Sequence, residues 1–220
     1  MTPGRVAGRH FTNTEDYMQE EVQGELYLYH LLRRLFLNEP TGELLNEIGA
    51  LPVPPEGELP TQGITLMINA VQSNAPRLDA WLEELSVEYA RLFIGPIKPL
   101  AVPFASFYLS ESHQLMTDET IEVRGRYLEA GMALKELYSV PDDHIGIELE
   151  FLYYLTKEAF ALQRQGHERE SVTLEAMKTD FLANHMALWV PDFASQVAST
   201  TQQDFYKGAA LLLASLFRDQ

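Results

Sequence analysis

One helical stripe with a carboxylate in its middle constrains this chain more than any other feature. At about 100° per residue, Ile145, Leu149, Leu152, Leu155, Ala159 and Leu162 share one side of a helix, and Glu148 falls inside that arc beside His144. A charge on a buried face needs a partner, because it loses its hydration and gains nothing from apolar neighbours. Just ahead stands Pro141-Asp142-Asp143-His144, which reads as a helix start: aspartate accepts backbone donors there, and negative charge suits the helix dipole. The stripe therefore predicts a helix over 142–165 that buries one face and must neutralise Glu148.

Similar stripes recur along the chain. Thr12-Asn13-Thr14-Glu15 has the form of a capping box, and Tyr17, Leu28, Leu31, Leu32, Leu35 and Phe36 then mark a long helix ending before Pro40. Short helices are expected over 43–50 and 64–71. Leu78, Trp81, Leu82, Leu85, Tyr89, Leu92 and Phe93 form another stripe, closed by Gly95-Pro96. Further helices are predicted over 117–138, 168–186 and 203–217. Period-two alternation is scarce, so the fold class is all-α: a single-domain irregular helical bundle over residues 1–220.

Two segments break the helical pattern. Pro52, Pro54, Pro55 and Pro60 remove backbone donors and hold residues 51–60 as a loop, a candidate hinge or contact surface. Residues 98–106 carry Pro99 and Pro103 without periodicity, and read as a surface connection. Phe104 stands out there, since a large apolar side chain with no helical face to occupy suits the edge of a groove.

Composition excludes several classes of function. The chain has no cysteine, which removes disulfides, thiolate catalysis and cysteine-based metal sites. A formal charge of −16 repels phosphate backbones and favours cationic partners, so nucleic acid is not an expected ligand. No run approaches the roughly 20 apolar residues of a membrane span, and the first residues lack the apolar core of a secretory signal. The expectation is a cytoplasmic protein without stable membrane insertion, either monomer or homodimer. Arg33-Arg34 lies inside a helical pattern and reads as structural.

The acidic groups admit competing readings. Asp142 and Asp143 can cap a helix, bind a ligand, or divide these roles between them. For Glu148, the nearest candidates are a hydrogen bond from His144 one turn away or a salt bridge to Arg124 or Arg126 on the preceding helix, and the arginines are favoured. Asp143, His144 and Glu148 also have the letters of a cation site, but no second ligand cluster, Glu-x-x-His or His-Glu-x-x-His accompanies them, and no metal is expected. Neither a nucleophile elbow nor a phosphate-binding glycine loop occurs. Trp189 reads as packing at a helix end. Glu15, Asp16, Glu20, Glu21 and Glu25 read as a solvated face without a compensating base. Residues 142–158 carry five carboxylates against one lysine, a more concentrated acidic patch.

Four motifs occur in a fixed order. They are Glu88-Tyr89-Ala90-Arg91-Leu92-Phe93-Ile94-Gly95-Pro96, Pro103-Phe104-Ala105-Ser106-Phe107-Tyr108, Pro141-Asp142-Asp143-His144, and Phe181 with His185 ahead of Trp189-Val190-Pro191-Asp192-Phe193. Their order resembles the redox-enzyme maturation chaperones of the TorD, DmsD and NarJ type, from about Leu85 to the C-terminus. The resemblance implies a TorD-like cytoplasmic chaperone, not an enzyme and without a cofactor of its own. Such a protein binds the twin-arginine leader or N-terminal segment of a molybdopterin oxidoreductase, holds it back from export, and assists insertion of the molybdopterin guanine dinucleotide cofactor. The leader-binding positions implied are Leu92, Phe93, Pro103, Phe104, Asp143 and His144, supported by Ser106 and Tyr108, with Asp142 in the same acidic helix start and the loop near 95–106 facing the client. Two other classes stay open at this point: a small nucleotide hydrolase holding magnesium on the acidic pair, and a structural helical subunit that binds no peptide.

Overall fold

The structure, a computed structural model, describes residues 14–55, 57, 59–95, 98–132 and 140–217. Helix α1 spans Thr14–Leu37, so Thr12 and Asn13 of the expected capping box lie outside the described residues. Helix α2, Gly42–Gly49, begins where the Thr41 hydroxyl accepts the Leu44 amide at 3.2 Å. Helix α3 covers Leu59–Asn74 and α4 Leu78–Tyr89. A single π turn, Ala90–Ile94, prolongs α4 until Gly95 reverses the chain at φ 65°, a conformation open mainly to glycine. Then follow α5, Ala105–Leu109; α6, Asp118–Glu129; α7, Ile145–Arg164; α8, Glu168–Asn184; α9, Val190–Thr200; and α10, Asp204–Ala214.

Among the described residues no β-strand forms, and the architecture is the irregular all-helical bundle that the stripes predict. Helix α7 lies between α1 and α8, while α10 rests on α3 and α9. Helices α5 and α9 form where the stripes predict none, and the limits of the predicted helices differ most in three places. Helix α7 starts at Ile145, not Asp142. Helix α6 ends at Glu129, and residues 133–138 of the longer helix predicted there lie outside the described residues. The Pro-rich stretch yields to α3 at Leu59, and its Val53, Pro54 and Gly57 line a groove of about 540 Å³ with Thr61, Thr65 and Leu66 of that helix.

Aromatic rings fill the centre. Phe93 meets Phe36, Tyr89, Phe193 and Tyr206 at centroid separations of 5.1–6.1 Å, mostly edge to face, the arrangement that aligns ring quadrupoles favourably. The buried hydroxyls in this region are satisfied, with Tyr89 donating to the Phe36 carbonyl and Tyr206 to that of Leu85, each at 3.0 Å. Helices α3 and α10 touch backbone to backbone. A methyl group on Gly63 would stand 2.7 Å from the Gly208 carbonyl, and one on Gly208 would stand 2.6 Å from that of Gly63. Only glycine at both positions allows this approach.

Ion pairs tie α1 to its neighbours, giving Arg33 and Arg34 the structural role read from the sequence: Arg33 pairs with Glu150 of α7, and Arg34 with Glu47 of α2. The acidic face of α1 does have a compensating base, contrary to expectation. Lys178 of α8 reaches Glu25 at 3.0 Å. A cation on a distant helix supplies what the local sequence lacks.

Candidate functional site

The site begins where an extended segment crosses the start of α7. The Ala105 amide donates to the Asp143 carbonyl at 3.0 Å, the Ile145 amide to that of Pro103 at 2.9 Å, and the Ser106 amide to Asp143 Oδ2 at 2.8 Å. These bonds make an antiparallel bridge of Phe104 and His144, whose rings meet edge to face at 5.0 Å. The expected surface connection is thereby corrected. Ala101, Val102, Pro103 and Ala105 are buried, because the backbone donors and acceptors of this segment find partners on α7 and the chain need not stay in water. Phe104 is half-buried at the junction.

Asp142, Asp143 and His144 also lie deeper than a helix start normally does. Both aspartates have no solvent exposure, and His144 has 7%. Neither aspartate caps α7. Asp142 pairs with Arg124, and its carbonyl accepts the Tyr127 hydroxyl at 2.8 Å, whereas Asp143 holds Ser106. The cap is His144, whose Nδ1 accepts the Gly146 amide at 3.0 Å. An accepting Nδ1 places the proton of the neutral ring on Nε2. Burial lowers the His144 pKa to about 4, against the upward pull of Asp143, so the ring is neutral at pH 7. Asp142 Oδ1, Asp143 Oδ1 and Ser106 Oγ are buried without a hydrogen-bond partner among the described residues. Orphaned acceptors of this kind favour a donor, and carboxylates favour a cationic one.

Glu148 is fully buried, and its partner differs from the one predicted. His185 Nε2 lies 2.6 Å from Oε1, and the Trp189 indole N–H donates to Oε2 at 3.2 Å. Arg124 and Arg126 do not serve it: Arg124 takes Asp142, and Arg126 takes Asp180 at 2.6 Å and Glu122 at 3.7 Å. Nor does the His144 side chain, which turns back to cap its own helix. Burial raises the Glu148 pKa, offset in part by His185. His185 and Trp189 carry a role that sequence reasoning missed. The spacing Phe181, His185, Trp189 puts the three at helical intervals, but nothing in it ties them to Glu148.

The remaining candidates divide between groove and core. Tyr108 is half-buried and stacks on Trp189 at 5.6 Å, joining α5 to the Glu148 cluster. Leu92 and Phe93 are core residues. Leu92 is fully buried, Phe93 is 5% exposed, and they connect to the junction through the Ala101 amide on the Leu92 carbonyl and through Phe193, which both Phe93 and Tyr108 touch. The first motif has its own structural task. Glu88 accepts both nitrogens of Arg91 at 2.7 Å, with the Thr201 hydroxyl and the Gln202 amide at 2.8 Å. Burial pushes the Glu88 pKa up, but these donors outweigh it and hold the group below the ordinary value.

No group of three metal-ligating side chains converges among the described residues, and no described helix is long and apolar enough to cross a membrane. Residues 60–195 match the model of the nitrate reductase delta subunit family, and the chain belongs to that family. It is similar to the chaperone protein TorD of Vibrio parahaemolyticus, 28% identical over 158 residues that make up 72% of each chain. TorD of Photobacterium profundum is 28% identical over 202 residues, 89% of this chain and 90% of that one. The crystal structure of a putative redox enzyme maturation protein from Archaeoglobus fulgidus shares the fold, with a TM-score of 0.52 over 93% of this chain and 96% of that one at 21% identity. The chain is thus a chaperone of this family and not an enzyme.

Proposed function

We propose that this chaperone binds the twin-arginine leader, or N-terminal segment, of a molybdenum oxidoreductase in the cytoplasm and assists its cofactor insertion before export. One observation carries the reading. The Phe104–His144 bridge sets a half-buried aromatic edge against the ring that follows Asp143, and Asp143, bonded to Ala105 and Ser106 just after Phe104, has an Oδ1 that lacks a donor among the described residues. A twin-arginine leader combines paired guanidinium groups with an apolar run, so it suits a site that offers an aromatic edge and an unsatisfied carboxylate together. The charge of −16 adds long-range attraction for such a peptide.

Titration calorimetry of the protein with synthetic leader peptides tests this. Affinity should weaken with rising salt and with replacement of both arginines by glutamine. Phe104→Ala should weaken binding while the melting temperature stays near that of the wild type, since the ring is only partly buried. Equal binding of the glutamine peptide removes the electrostatic argument, and failure of every leader to bind overturns the reading.

A further inference from the structure

An exposed apolar surface flanks the junction and is used by nothing described so far. Ile94 is 58% exposed, Leu100 41%, Leu115 45% and Met116 65%, all within the two segments that border α5. The two segments touch. Lys98 Nζ stands 4.7 Å over the Phe107 ring, and His113 holds the other side, with its ring 5.6 Å from Phe107 and its Nδ1 2.8 Å from the Phe107 carbonyl. Phe107 in turn lies one helical turn after Phe104, its amide donating to the Phe104 carbonyl at 3.2 Å. The path from the Phe104–His144 edge through Phe107 to residues 113–116 is therefore continuous.

The loop that presents Leu115 and Met116 is also unusual in its backbone. His113 at φ 51° and Met116 at φ 61° are the only non-glycine residues with positive φ among those described. Side chains rarely adopt this left-handed conformation, so the loop holds a costly shape that displays two apolar residues to water.

We infer that this surface binds the apolar run that follows the arginine pair of the leader, while the arginines occupy the Asp143 side of the same junction. The inference rests on the leader-binding reading above. Charge selects this occupant over a second copy of the chain, because two proteins of −16 repel each other whereas a cationic peptide is drawn in. Continuity selects it too, since Phe107, which links the apolar surface to the junction, lies one helical turn from Phe104.

The test is a cycle of two proteins and two peptides. One peptide carries the arginine pair and a leucine-rich run, and the other has those leucines replaced by serine. The variant combines Leu115→Ser with Met116→Asn, asparagine being tolerant of the left-handed backbone. Wild type should bind the leucine peptide on the order of tenfold more tightly than the serine peptide, and the variant should lose that advantage while binding the serine peptide as before. Ile94→Ser, on the other segment, should show the same selective loss if the first variant melts early. Unchanged affinity of both variants for the leucine peptide, alongside a loss for Phe104→Ala, overturns the inference and leaves the leader reading standing. Binding of neither peptide by wild type overturns both. A dimer that dissociates in the variants without any change in peptide affinity assigns the surface to a second copy and overturns the inference alone.

Discussion

His185 Nε2 stands 2.6 Å from Glu148 Oε1, and this contact joins α7 to the end of α8 where the Glu148 carboxylate has no solvent exposure. Removing one member of such a pair leaves the other buried and unmatched. Glu148→Ala should cost about 3 to 5 kcal/mol of stability, seen as a lower denaturation midpoint, and Trp189 fluorescence should report the loss of its acceptor. A variant that melts like wild type refutes this role for the pair.

Stability should depend on pH through His144. Its folded pKa is depressed from 6.5 to about 4, so the unfolded chain takes up its proton first as pH falls. The contribution is fully present above 6.5 and is lost between there and about 4, amounting to about 3 kcal/mol. Glu148 acts in the opposite sense: its pKa is raised, so its contribution is present at low pH and is lost as pH rises through the raised value. Chemical denaturation of wild type and His144→Gln across this range separates the two, and the difference between them should shrink toward pH 4.

Asp143 should behave as part of the fold as well as of the site. Asp143→Ala strands the Ser106 amide, which donates to it at 2.8 Å inside the protein, and should cost about 1 to 3 kcal/mol. Hydrogen exchange at Ser106 is the direct measurement. Protection equal to wild type would show that the amide has another acceptor.

How much of this was legible beforehand depended on distance along the chain. The stripes gave most of the helices but not α5 or α9, and the placement of Glu148 on an apolar face announced a buried charge. Its partner was not legible. Helical periodicity relates residues up to about one turn apart, and so it pointed to His144 and the preceding helix, whereas His185 reaches Glu148 only through the packing of α8. Lys178 and Glu25 were hidden for the same reason. The extended stretch before α5 misled differently. Prolines and lack of periodicity describe a loop correctly, but they do not tell whether its backbone bonds go to water or to α7. For the site, Phe104, Asp143 and His144 came together as the motifs suggested, while Leu92 and Phe93 stayed in the core that their stripe had already indicated.

Glu88 offers a test that leaves the junction untouched. It receives Arg91, Thr201 and Gln202, so Glu88→Ala should free the turn between α9 and α10 and lower stability by about 3 kcal/mol. Leader affinity per folded molecule should not change. A variant of normal stability but weak binding would place Glu88 in the ligand site instead.

The glycine contact between α3 and α10 bears on how the chain is made. Gly63 is made well before Gly208, and each backbone is the other's cover. On the ribosome, Met67, which lies against Gly208, waits with that flank open until α10 is made. Contacts so far apart in sequence form late and slow the search for the native state. The surface of α3 thus stays uncovered in the nascent chain until α10 arrives to close it.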